Sequence, residues 1–274
     1  GNVSENYQYN EFGEITNITS ALFQETMQRD LLGRITNKIE IVDGATTTYG
    51  YAYDAIGQLT TVHTNGSPAG RYAYDANGNR TNFIIDANDA LVSYGDATYA
   101  FDEAGVLTNK MEGILSTSYD YDVFGNLVSV LLPSGDEVTY TVDGLNRRIA
   151  KSMNGTFEKG WIYSGSRIVG ETDASGHLVS RFVYGSKAHV PDYMVRSGET
   201  YRIISDHLGS VRLVVNTEDG SIVQQIDYDE YGNMLNDSNL KFQPFGFAGG
   251  LYDTDTGLTR FGARDYDPET GRWT

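Results

Sequence analysis

The chain has 274 residues, 39% of them apolar, with 31 glycines, 20 tyrosines, 5 prolines and no cysteine. That is apolar material enough for one large all-β unit or two domains, and it argues against disorder or a collagen-like chain. Twenty basic against 37 acidic residues give a formal charge of −17, which repels phosphate backbones and speaks against a nucleic-acid partner. The missing cysteines exclude a disulfide framework and thiolate metal sites, and no apolar run is long enough to span a membrane. The N-terminus shows no signal-peptide pattern, although an export signal upstream of Gly1 stays open.

Taken in chain order, one seven-residue pattern returns: an aromatic, Asp or Asn, two variable residues, Gly, a polar residue and an apolar one. It begins at positions 9, 29, 53, 74, 101, 121 and 142, at spacings of 20 to 27 residues, and again at 228. The cleanest copies are Tyr53-Asp54-Ala55-Ile56-Gly57-Gln58-Leu59, Tyr121-Asp122-Val123-Phe124-Gly125-Asn126-Leu127 and Tyr228-Asp229-Glu230-Tyr231-Gly232-Asn233-Met234. A period of tens of residues marks a repeat architecture. Around the third copy Tyr49, Tyr51 and Tyr53 alternate with smaller residues, and Leu59, Thr61 and His63 alternate after the interruption. Two alternating runs joined by Asp-x-x-Gly predict a β-hairpin, with a type I turn followed by a bulge.

Asp54, Asp75, Asp122 and Asp229 are then turn-forming carboxylates, and Gly57, Gly78, Gly125 and Gly232 supply the left-handed residue. In the copy at 142, Asn146 stands where Gly is expected and tolerates the same conformation. Residues 19–32 are the nearest thing to an amphipathic helix, but they run into a repeat turn and read as strand. A lone hairpin is marginal in water, so neighbouring units must join edge to edge into one curled or spiralling antiparallel sheet.

From about Tyr201 the texture changes. Asp206-His207-Leu208-Gly209-Ser210-Val211-Arg212 precedes the strand-like Leu213-Val214-Val215, and a Gly/Phe-rich stretch occupies 242–250. The end carries Thr256-Gly257-Leu258, Phe261-Gly262-Ala263-Arg264, and Tyr266-Asp267-Pro268-Glu269-Thr270-Gly271-Arg272. The hairpin units resemble the YD repeats of Rhs-type proteins, and the segment from Asp206 resembles the Rhs-repeat-associated core domain. The core-motif residues are Asp206, His207, Gly209, Arg212, Arg264, Asp267, Pro268, Gly271 and Arg272.

The resemblance implies a β-hairpin array over 1–200 and a core domain over 201–274, together a sector of a hollow shell. It implies a secreted or cell-surface bacterial protein whose shell encapsulates a C-terminal toxin. Teneurins use a similar shell in cell adhesion. In many shell proteins the core domain cuts the chain just beyond itself with aspartates. That region would follow Gly271-Arg272-Trp273, so the chain as given is expected to be non-catalytic, with no cofactor. Asp265 also departs from the family, taking a place where an aromatic commonly follows the motif arginine. The alternatives are a cell-surface adhesion or carbohydrate-binding module and a truncated self-cleaving aspartyl protease.

Candidate chemistry reads mainly as structure. Asp206 and His207 lie near Ser205 and Ser210, but neighbours along a strand face opposite ways and cannot form a relay together. His63, His177 and His189 lack metal-ligand spacing. The segments 253–257 and 75–79 resemble calcium loops without the downstream Glu. Arg264, Asp265 and Asp267 read as a structural ion pair. Tyrosine rows could stack a sugar, but cross-strand packing is the simpler reading. Exposed edge strands are expected to pair with flanking repeats or another shell segment.

Overall fold

The computed structural model describes residues 4–274 and is all-β apart from a 3-10 turn at Phe247–Gly249. The chain divides into two compact units at Asp89/Ala90. In the first unit, strands from Asn6–Tyr9 to Ser67–Arg71 form a seven-stranded sheet in which each pairs antiparallel with its neighbour in sequence. In the second, strands from Leu91–Tyr94 to Met234–Asp237 follow one another in the same way. A further four-stranded sheet runs from Leu251–Tyr252 to Arg272–Trp273.

The hairpins share one turn geometry. In the third repeat the Asp54 carboxylate Oδ1 accepts the N–H groups of Ile56 at 3.0 Å and Gln58 at 2.8 Å. Gly57 adopts φ +91°, where a Cβ would be strained, and its N–H closes the turn on the Asp54 carbonyl at 3.2 Å. The same pair of Oδ1 bonds recurs at Asn10, Asp30, Asp75, Asp102, Asp122, Asp143 and Asp229. Asn146 replaces glycine at φ +61°. The register shifts by one residue just before the Asp, at Ala52/Tyr53, Asp120/Tyr121 and Asp227/Tyr228, which is the bulge. Two further copies appear in the structure, Asp173 with Gly176 and Asp206 with Gly209.

The core of the second unit gathers Trp161, Ile168, Phe182, Met194, Ile203, Val214 and Ile226 with Phe245 and Leu251. Val211 to Val215 are all buried, and Val211 and Val214 join the cluster that Phe245 and Leu251 complete. Phe245 meets Phe182 edge-on at 5.0 Å, and Phe242 meets Tyr201 edge-on at 5.2 Å. Each such pair adds about 1 kcal/mol beyond its area.

Candidate functional site

Two devices turn a row of hairpins into a wall. The first is a set of four tyrosines, Tyr53 and Tyr74 at repeat positions and Tyr163 and Tyr184 outside them, whose hydroxyls donate to a carbonyl 15 to 18 residues upstream: Tyr53 to Ile35 at 2.7 Å, Tyr74 to Leu59 at 2.8 Å, Tyr163 to Arg148 at 2.9 Å and Tyr184 to Ile168 at 3.0 Å. An arginine caps the ring in three of these. Arg34 lies 4.8 Å over Tyr53, Arg147 5.0 Å over Tyr163 and Arg167 5.1 Å over Tyr184. Arg34 and Arg147 also return to their own turn aspartates, at 2.7 Å to Asp30 and 2.6 Å to Asp143. Their bonds pull the Asp30 and Asp143 carboxyls below the ordinary range.

The second device locks the last 24 residues onto the second unit's sheet. Asp265 is 2% exposed and bridges two buried arginines, Arg148 at 3.0 Å and Arg260 at 2.8 Å. Arg260 continues to the Asn126 side chain at 2.8 Å and the Asn146 carbonyl at 3.1 Å, so it grips two repeat turns. Arg148 also lies 3.4 Å from the centre of the Tyr140 ring. The Tyr140 hydroxyl donates to Asp253 at 2.8 Å, and the other Asp253 oxygen accepts from Lys151 at 2.6 Å. Lys151 also bonds Asp255, which Lys241 reaches at 3.2 Å. Farther along, Asn233 donates to the Pro268 carbonyl at 3.0 Å and Tyr266 to the Tyr231 carbonyl at 2.7 Å.

Burial raises the Tyr140 hydroxyl well above its ordinary pKa, and the Asp253 carboxylate adds to this. Burial pulls Lys151 down, but Asp253 and Asp255 outweigh it and the net shift is upward. Burial pushes Asp255 up, yet Lys151 and Lys241 hold it below the carboxylate range. Asp267 goes the other way: burial raises it, against the pull of the Thr270 hydroxyl. A catalytic carboxylate needs an oxygen within reach of a substrate proton. Both oxygens of Asp253 and of Asp265 are engaged by lysine, arginine or tyrosine donors, the arrangement of a lock.

The turn residues named in the sequence lie in the turns just described. Of the core motif, Asp206 and Gly209 form another repeat turn, with His207 half-buried inside it. Ser205 and Ser210 are buried and take up the Lys187 ammonium and the Ala248 N–H, so they do not face Asp206 as a relay. Arg212 is buried against the Ile226 carbonyl and Asp227. Gly271 closes a turn on Asp267 at φ +69°, and Arg272 pairs opposite Asp267 in the last strand.

Arg264 and Asp265 are not one ion pair. They are strand neighbours on opposite faces, so Asp265 points into the core while exposed Arg264 stacks on Trp273 at 4.2 Å. Sequence reasoning missed Arg148, Lys151, Arg260, Asn126 and Tyr140. The one signal was a pair of cations, Arg148 and Lys151, inside an otherwise strand-like run. The calcium-like loop at 253–257 is filled by the Lys151 ammonium, and among the described residues no cluster of three or more ligating side chains is placed to hold a metal. No helix of the described residues is long and apolar enough to cross a membrane.

A family model described as the teneurin YD-shell matches residues 1–274. Teneurin-3 of Danio rerio is 36% identical over 274 residues, covering 93% of this chain and 10% of that protein. Teneurin-4 of Homo sapiens is 33% identical over 275 residues, with the same coverage. The tRNA3(Ser)-specific nuclease WapA of Bacillus spizizenii is 26% identical over 232 residues, covering 82% of this chain and 9% of that protein. The chain thus spans about a tenth of the length of these relatives. A solved Photorhabdus luminescens Tc holotoxin pore gives a TM-score of 0.44 at 14% identity, covering 98% of this chain and 20% of that one. With its repeat turns, tyrosine ties and whole-length match, the chain belongs to the teneurin YD-shell family.

Proposed function

We propose that this chain is a structural β-shell module of a bacterial Rhs/YD-repeat polymorphic toxin, one that encloses or presents a C-terminal effector and catalyses nothing itself. The observation that carries the reading is the continuity of one hairpin unit along both sheets, with neighbouring hairpins tied by tyrosine hydroxyls at Tyr53 and Tyr163 among others. Such a chain spends its polar groups on holding itself together, as a wall does. The likeness to the bacterial nuclease WapA supports a bacterial effector context. In this reading residues 1–200 are the array and 201–274 the core domain. Flanking repeats would add at an edge strand such as Met234–Asp237, which ends its sheet.

The test is protease protection of the effector in the full parent chain. The proposal expects the effector to survive while the wall is intact. An effector digested as fast as its isolated form overturns enclosure and leaves only presentation. Intact mass of the same product addresses self-cleavage: one uncut species sets the protease alternative aside. A second reading, a cell-surface adhesion or carbohydrate-binding module, is favoured by the higher identity to teneurins, 36% against 26% for the nuclease. Glycan-array binding above background would support it.

A further inference from the structure

A cleft of about 700 Å³ in the second unit lies where the repeat turns meet the C-terminal segment. Its cationic groups are Arg147, Arg167 and Arg260, and no Asp or Glu lines it. In a chain with 37 acidic residues and a charge of −17, a lining that holds arginines and no carboxylate departs from the average composition.

The cations are not equivalent. Arg260 and Arg147 are committed, to Asp265 and to Asp143 with the Gly165 carbonyl. Arg167 is exposed, donates through Nε to the Ala188 carbonyl at 2.9 Å and lies over Tyr184, and it has no carboxylate partner among the described residues. Its terminal amino groups therefore offer the planar fork that binds a carboxylate through two parallel bonds. Beside it are apolar walls, Ile168 and Leu251, and bare backbone at Gly165 and Gly262, both at φ +61° with open space where a Cβ would stand.

We propose that this cleft binds an acidic peptide segment, an Asp or Glu carboxylate on Arg167 with an adjacent apolar side chain against Ile168 and Leu251. An acidic peptide is favoured over a free anion because it carries a carboxylate for Arg167 and an apolar side chain for the apolar lining in one molecule.

The probe is the peptide N-acetyl-Phe-Asp-Leu amide, titrated calorimetrically into the intact chain beside its Asn counterpart at low salt. The Asp peptide should bind at least tenfold more tightly than the Asn peptide. Both Arg167→Glu and the milder Arg167→Gln should weaken it at least tenfold, measured at a temperature where melting curves show each variant fully folded despite the lost contacts to Tyr184 and the Ala188 carbonyl. Arg71→Glu, which makes the same charge reversal in the first unit, should change affinity less than twofold. Equal binding of the two peptides, or Arg167 variants with unchanged affinity, overturns the proposal. So does a response to inorganic phosphate or glucuronate with none to the Asp peptide.

Discussion

Replacing Asp265 by Asn deletes one negative charge from between two arginines while keeping the shape of the side chain. The Arg148 and Arg260 side chains are 1% and 2% exposed, so neither guanidinium can turn to water. Removing one partner of a buried ion pair costs about 3–5 kcal/mol, mostly as the penalty of the unpaired charge that stays behind. That is a fall of roughly two to three and a half powers of ten in the folded-to-unfolded ratio. Both tryptophans, Trp161 and Trp273, lie in the second unit, so fluorescence during urea unfolding reports on that unit. With a slope of about 2 kcal/mol per molar, the midpoint should fall by about 2 M. Replacing Arg148, Asp265 and Arg260 together with apolar residues of similar volume should recover most of the loss. A midpoint for Asp265→Asn within about 0.5 M of the parent would refute the idea that this triad locks the C-terminal segment.

Gly125→Ala and Gly232→Ala make the same change at equivalent turns, φ +80° and +89°, and should cost different amounts. At Gly125 a Cβ meets nothing, leaving about 1–2 kcal/mol of backbone strain; at Gly232 it would sit 2.4 Å from Phe247, adding about 1–3 kcal/mol. Equal losses in thermal melting would contradict the packing of Phe247 on that turn. Tyr163→Phe removes the bond to the Arg148 carbonyl and should cost about 1–2 kcal/mol in urea unfolding, whereas Tyr9→Phe, on a side chain 58% exposed, should be near neutral. Asp267 has a folded pKa raised by burial, so its stabilising contribution is present below its unfolded pKa of about 3.9 and lost as pH rises through the folded value. Asp267→Asn should therefore match or exceed the parent in melting temperature at pH 7, with its relative advantage shrinking towards pH 4. A marked loss at pH 7 would refute this.

What was legible in the sequence is what is local. Asp54 bonds residues two and four ahead and Gly57 answers to its own φ, so turn and hairpin could be read within seven letters. The copies at Asp173 and Asp206 went unread although each keeps Asp and Gly at the same spacing, as the copy at 29 does without its aromatic. The tyrosines were assigned to a sheet face, but their hydroxyls act between hairpins, 15 to 18 residues back, a relation set by sheet pairing. The lock was least legible. Arg148 and Asp265 are 117 residues apart and Lys151 and Asp253 are 102 apart, and no pattern within either strand announces a partner at that distance. Period-two alternation marks the inward positions of a strand but does not say that an inward position holds a cation.

The most direct test of the shell reading is single-particle electron microscopy of the parent chain carrying its own C-terminal effector. The account predicts effector density enclosed by the repeat wall or seated against it; an effector with no fixed position relative to the wall would contradict it.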